Sequence, residues 1–193
     1  MDANLGIEFL NSFSNVPQET INQLMSISKL KEVKPGKQIV KLNEVPTKIF
    51  MLASGVARCY ITTENGKEFN KNFFLPYSFI APLTALVKSK PSSFIFETLS
   101  DCQIYEVDYY KISDLCSKDM FVNTLYSKVL ESVYMTYEKR LVELISLDAK
   151  ERYLELKKQI PNVDEIIPQY HIASYLGITP VQLSRIRKKI DDD

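Results

Sequence analysis

Residues 169–190, QYHIASYLGITPVQLSRIRKKI, restrict the possible folds more than any other stretch of the chain. Read as two crossing helices, they put Ile172, Leu176, Ile178, Leu183 and Ile186 at inward positions. Ala173 falls where the helices come closest, and a larger side chain there would push them apart. Gly177 falls in the turn, where the backbone needs a positive φ that glycine adopts freely. Thr179 can cap the second helix, Pro180 suits its first turn, and Gln182 completes a capping box. A small residue, a glycine, a cap and five apolar positions together specify a helix-turn-helix.

The second helix is also cationic. Four of the six residues 185–190 are Arg or Lys, in a chain whose 24 basic and 24 acidic residues cancel. Any argument for a polyanionic partner therefore rests on this local cluster rather than on net charge. Leu183, Ile186 and Ile190 take the inner side of the helix. Gln182, Ser184, Arg185, Arg187, Lys188 and Lys189 take the outer side. A recognition helix inserts its N-terminal half into the major groove while the rest meets the backbone. Arg185 has the reach for a bidentate contact to guanine, and Gln182 for one to adenine. Arg187, Lys188 and Lys189 suit phosphate. Two plainer uses compete: Gln182 serves the capping box, and the last-turn cations offset the helix dipole and the acidic residues 191–193.

Upstream, 193 residues with 45% apolar content suffice for one or two domains with a real core. Residues 5–30 carry apolar positions at helical spacing, in two pieces separated at Pro17, which opens the second. From Lys31 the pattern changes to short alternating runs. Pro35-Gly36, Asn43-Glu44, Ser54-Gly55 and Asn65-Gly66 punctuate them, as in a small antiparallel barrel or roll. Residues 109–115 read as a short helix. Residues 119–146 contain neither Pro nor Gly and read as one long helix. Leu130, Tyr134, Tyr137, Leu141 and Leu144 step by four and three along it, a coiled-coil seam of about two heptads. Packing on the roll alone is one account of that helix. Pairing with a second copy is the favoured one, because a single roll covers only one side. A new helix starts after residue 146, with Asp148 as its cap. The expected division is 1–118 for the roll, 119–146 for the dimerisation helix and 147–193 for the helix-turn-helix unit.

Cys59, Cys102 and Cys116 are scattered, which fits free thiols in a reducing cytoplasm. No apolar run is long enough to span a membrane, and no signal peptide or membrane partner is expected. The roll contains no histidine, so a metal-dependent enzyme of the cupin kind is not expected, and no catalytic triad is visible. The expectation is a chain that is not an enzyme and uses no metal or other cofactor.

This order of parts resembles the Crp/Fnr family of bacterial transcription regulators. The likeness is carried by IASYLGITPVQLSRIRKKI and by ASGVARCYITTENGKEFNKNFFLPYSFI around Gly55, Arg58 and Gly66. It implies an α+β fold: an antiparallel, cyclic-nucleotide-binding-like β-roll (a double-stranded β-helix) with flanking helices. A long dimerisation helix and a C-terminal, winged-helix-like helix-turn-helix follow. It implies a homodimer on roughly palindromic double-stranded DNA, with RNA polymerase as a further partner. Thr179, Val181, Gln182, Ser184 and Arg185 would face the groove, Arg185 at the position the family commonly sets on a guanine. A cyclic-nucleotide or other small-molecule sensor, or adaptor, whose DNA-binding unit is vestigial is the alternative.

The chain departs from the family's cyclic-AMP binders. Their Gly-Glu pair and downstream Arg-Ser or Arg-Thr pair hold ribose and cyclic phosphate. Here Tyr77 stands near the turn glycine, Ala81 and Pro82 near the Gly-Glu pair, and Ser92 and Ser93 in the Arg-Ser neighbourhood. A buried phosphate without arginine is costly. Lys88 and Lys90, the possible substitutes, fall in an expected loop, so cyclic AMP is not expected. An iron–sulfur sensor would need four thiolates. A haem sensor would need an axial ligand, and the sole histidine, His171, is expected on the surface of the first helix of the DNA-binding unit. Phe74, Tyr77, Phe79, Ser92 and Ser93 are the candidates for an apolar effector pocket; the plainer account is that the aromatics fill a core that no ligand occupies. Coupling to DNA would run through the long helix. The segment 161–169 leaves little room for a wing.

Overall fold

The computed structural model describes residues 3–192. Two helices, α1 (Ala3–Asn11) and α2 (Gln18–Ile27), lead into eight strands. These are β1 (Ser28–Val33), β2 (Gln38–Val40), β3 (Lys48–Ser54), β4 (Ala57–Thr62), β5 (Glu68–Phe74) and β6 (Ser78–Ile80). After α3 (Leu83–Lys88) come β7 (Ile95–Thr98) and β8 (Cys102–Asp108). The helices α4 (Tyr109–Lys118), α5 (Met120–Ser146), α6 (Ala149–Gln159), α7 (Val163–Ile166), α8 (Gln169–Leu176) and α9 (Pro180–Asp191) complete the chain.

The strands form two antiparallel four-stranded sheets, ordered β1-β8-β3-β6 and β2-β7-β4-β5. Alternating residues point between them, so Val40, Phe50, Leu52, Ala57, Cys59, Phe74, Ile80, Phe96 and Ile104 pack into one buried core. Burial pushes the Cys59 thiol up to about 12, so it is an inert filler. Gly55 turns β3 into β4 at φ 92°, and a Cβ there would overlap the Asp101 carbonyl and the Cys102 side chain. Only glycine fits that corner.

Two local expectations change. Residues 28–30 continue a helical spacing, yet they begin β1, which pairs with β8 from Ser28↔Val107 to Val33↔Cys102. Partners some 75 residues away outweigh a local pattern. Lys88 sits in the last turn of α3 rather than in a loop.

Asp119 caps α5, accepting from the Phe121 and Val122 amides, and also accepts from the Thr20 hydroxyl at 2.9 Å. Val16 and Ile21 bury Leu125 at that end. Beyond it, no residue of α5 from 126 to 142 is buried. Asp148 and Glu151 form a capping box that starts α6. The helix-turn-helix is built as its sequence pattern requires. Ile172, Ala173, Leu176 and Leu183 are fully enclosed, with Ile178, Ile186 and Ile190 packed against them. Gly177 ends α8 at φ 72°. Thr179 and Gln182 form the capping box of α9, with Pro180 at its start. Between α6 and α8 the chain makes the single turn of α7, and among the described residues after 147 there is no strand to form a wing. Among the described residues no helix is long and apolar enough to cross a membrane.

Candidate nucleic-acid interface

Burial of Leu183 and Ile186 orients α9 and turns its opposite face outward. Val181 is exposed on that face, as are Thr179, Gln182, Ser184, Arg185, Lys188 and Lys189. Arg185, Lys188 and Lys189 have no ion pair among the described residues. Arg187 differs. Its guanidinium donates to Asp164 Oδ1 at 2.5 Å and to the Tyr153 hydroxyl at 3.2 Å, bracing α9 against α6 and α7. Gln182 is also engaged: its Oε1 accepts from the Thr179 amide at 2.8 Å and lies 3.1 Å from the Thr179 hydroxyl. Its NH₂ group stays free to donate among the described contacts. The outer face thus offers three unpaired cations, one of them the planar five-donor fork of arginine.

The effector-pocket candidates do not meet in one cavity. Phe74 points into the roll core, with its ring 6.0 Å from that of Phe96. Phe79 points the other way, because its neighbour Ile80 takes the inward position. Outside the roll, Phe79 and Tyr77 pack on Phe9 of α1, with centroids 5.3 and 5.6 Å away. Tyr77 takes a left-handed φ of 65°, a conformation glycine adopts more cheaply. Ser92 is buried, and its hydroxyl both donates to the Phe94 carbonyl and accepts from the Phe94 amide, while Ser93 is exposed. Lys88 and Lys90 are exposed. A separate cleft of about 40 Å³ lies where the roll meets the helices, lined by Lys71, Tyr137, Arg140, Glu143 and Tyr175 among others. That is room for a few waters, not for a nucleotide.

Along α5 the seam residues Tyr134, Tyr137, Leu141 and Leu144 are exposed and Leu130 is half-buried. Tyr137 has a partial partner in Lys71, whose ammonium lies 4.6 Å from its ring centroid. Leu130, Tyr134 and Met135 border a shallow groove on the same helix.

The largest departure from expectation concerns His171. It is buried, not on the surface, with 3% of it exposed. One face of α8 packs into the helix-turn-helix core, and the roll covers another, so His171 and Tyr175 are buried as well as Ile172, Ala173 and Leu176. Opposite His171 stands Arg58, the only arginine before residue 119. Arg58 lies on the outer face of its sheet, directly across from Glu97 on β7. Its guanidinium donates to Glu68 Oε2 at 2.5 Å, Glu97 Oε2 at 3.1 Å and His171 Nδ1 at 2.9 Å, and stacks 3.7 Å from the Tyr60 ring centroid. The Asn70 amide nitrogen also lies 3.3 Å from Nδ1. Both neighbours are donors, so Nδ1 accepts and the imidazole is neutral with its proton on Nε2. Burial first, and then the Arg58 charge, push its pKa down to about 4. An arginine in an otherwise buried strand and a histidine three residues before a serine were the only signs in the sequence. They gain meaning once the strand register is known.

Residues 30–119 match the cyclic nucleotide-binding domain family, a stretch that holds most of the two sheets. With the long helix and the helix-turn-helix behind it, the chain has the fold of the Crp/Fnr transcription regulators. It is similar to FixK2 from Bradyrhizobium japonicum at 17% identity, covering 86% of this chain and 85% of that one, with a TM-score of 0.71. A transcriptional regulator of the Crp/Fnr family from Eubacterium rectale matches at 12% identity, 95% and 88% coverage and a TM-score of 0.72. The catabolite activator protein of Thermus thermophilus matches at 17% identity, 95% and 87% coverage and a TM-score of 0.58. No curated protein sequence matches the chain.

Proposed function

We propose that this chain is a homodimeric, sequence-specific DNA-binding transcription regulator that does not respond to cyclic AMP. The observation that carries the reading is the outer face of α9: Arg185, Lys188 and Lys189 stand exposed and unpaired on a helix whose other face is locked in a core. Unpaired cations on a rigid helix answer a polyanion. Arg185 would read a guanine edge, with Gln182 and Ser184 beside it and Thr179 and Val181 along the groove. Lys188 and Lys189 would hold phosphate. Arg187 would act by bracing α9 through Asp164. RNA polymerase is a further partner of such a regulator.

A single α5 leaves its apolar seam in water, and a second copy would cover it through Leu130, Tyr134, Tyr137, Leu141 and Leu144. The chain would then divide at 118/119 and 146/147 into roll, stalk and DNA-binding unit. The case against cyclic AMP rests on Arg58. It is the roll's only arginine, and its guanidinium is already engaged by Glu68 and Glu97 on the outside of the sheet. The core between the sheets is Phe50, Phe74, Phe96, Cys59, Cys102 and aliphatic side chains, which give a buried phosphate no partner, and the cation at its edge, Lys71, lies against the Phe94 and Tyr137 rings. The same packing favours a roll without an apolar effector at Phe74, Tyr77, Phe79, Ser92 and Ser93.

Fluorescence anisotropy on duplexes from the region upstream of the chain's own gene, at several salt concentrations, tests the reading. Tight binding of one duplex, with an affinity that falls steeply with salt, is expected. The double variant Leu141→Asp, Leu144→Asp should be monomeric by light scattering and lose specific binding. A dimer that ignores every duplex would point to the adaptor instead.

A further inference from the structure

We propose that Arg58 and His171, framed by Glu68, Glu97 and Asn70, form a latch that docks the helix-turn-helix on its own roll. The latch gives the roll a direct hold on the DNA-binding unit, besides the route through α5.

The contact begins at a free sheet edge. β5 is the last strand of its sheet, so its outward amides and carbonyls lack a strand partner. The Ser174 hydroxyl of α8 fills that role, accepting from the Asn70 amide at 3.0 Å and donating to the Glu68 carbonyl at 2.8 Å. One helical turn earlier, His171 meets the guanidinium of Arg58. Beside them Val56 and Phe73 of the roll share one core with Tyr175 and Leu176 of α8. The apolar part supplies attraction. The polar part supplies register, because Arg58, Glu68 and Glu97 gain little from docking beyond what water would give them. A contact of that kind is specific in geometry and modest in strength, as a device that opens requires. Docking does not mask the outer face of α9, so the latch sets the orientation of that helix rather than hiding it.

The chemistry also makes the latch sensitive to acid. The groups around His171 are Arg58 and Tyr60 from β4, Glu68 and Asn70 from β5, Glu97 from β7 and Tyr170 on its own helix. Protonation would set an N–H against the Arg58 N–H groups and a cation against a cation. A docked imidazole holds its proton only below about pH 4, against an ordinary value of 6.5. Docking is therefore complete above pH 6.5 and weakens as the pH falls from 6.5 towards 4. At pH 5 the docking constant drops about thirtyfold.

Hydrogen exchange of the full chain, read by mass spectrometry on peptides covering 68–74, 169–176 and, as a reference, 102–108, tests this. His171→Lys should raise exchange of the first two peptides at least tenfold at pH 7.5 and leave the reference unchanged. His171→Gln, whose carbonyl can still accept from Arg58 without titrating, should match the parent at pH 7.5. It should also remain protected at pH 5, where the parent, corrected for intrinsic rates, loses protection in the same two peptides. Should His171→Lys fail to fold, Ser174→Ala should give a smaller rise confined to residues 68–74 and 169–176. Unchanged exchange in folded His171→Lys or Ser174→Ala, a loss of protection at pH 5 in His171→Gln equal to the parent's, or a rise shared equally by the reference peptide, overturns the latch. Its bearing on transcription rests on the regulator reading. The exchange measurement contains no DNA, so the two can fail separately.

Discussion

Arg58 and Arg185 carry the same charge into opposite surroundings. Arg58 is enclosed between a sheet and α8 and is held by two carboxylates, an amide and an imidazole. Arg185 stands in water on α9 with no ion pair among the described residues. The comparison separates two tasks for a cation. A buried one, held by partners at both terminal nitrogens, fixes how two parts of a chain meet, and an exposed one, without an ion pair, is available to something outside it.

The largest effect that sharpens this contrast is on stability. Arg58→Ala leaves Glu68 and Glu97 without their shared cation and His171 with only the longer Asn70 contact, and should lower urea stability by about 3–5 kcal/mol. A loss under about 1 kcal/mol would mean that this face is as well solvated as α9. Arg185→Ala should leave the unfolding midpoint unchanged and cost roughly 1–3 kcal/mol of DNA discrimination at one base pair per half-site. Equal weakening on all duplexes would move Arg185 from base to phosphate. Thr179→Ala removes the cap of α9 and should cost about 1 kcal/mol of stability. Smallest of all, Lys188→Ala should weaken every duplex alike and reduce the salt slope by about one, read by anisotropy. A sequence-dependent loss there would break the assignment.

The two arginines also differ in how far their sequence betrays them. Arg185 sits in a motif whose every element lies within 22 residues, from Gln169 to Ile190. The inward apolar positions, Gly177, Thr179 and Pro180 are local requirements, and local requirements leave local marks. The roll was visible in its turn residues, and α5 in its freedom from Pro and Gly. Arg58 sits in ARCY, which reads as an ordinary strand. Its partner Glu97 follows from strand register, Glu68 is in register with Thr62 and is reached only by the long side chain along the sheet face, and His171 lies 113 residues away. A helix pattern shows one apolar face and assigns the rest to solvent, so it puts His171 outside, on the face that the roll covers. The same limit explains Phe79 and Tyr77. Their aromatic character suggested a pocket, but the two faces of β6 send Phe79 and Ile80 to opposite sides of the wall.

By itself, the sequence determined the pieces: a strand-rich roll, an uninterrupted helix and a capped helix-turn-helix with a cationic outer face. Each is encoded in periodicity and capping over one or a few turns. Only the tertiary structure decided that the second face of α8 lies against the edge of β5, with a neutral histidine under an arginine. That contact joins residues far apart in the chain, and its stability depends on the burial and charge of partners that no short window contains.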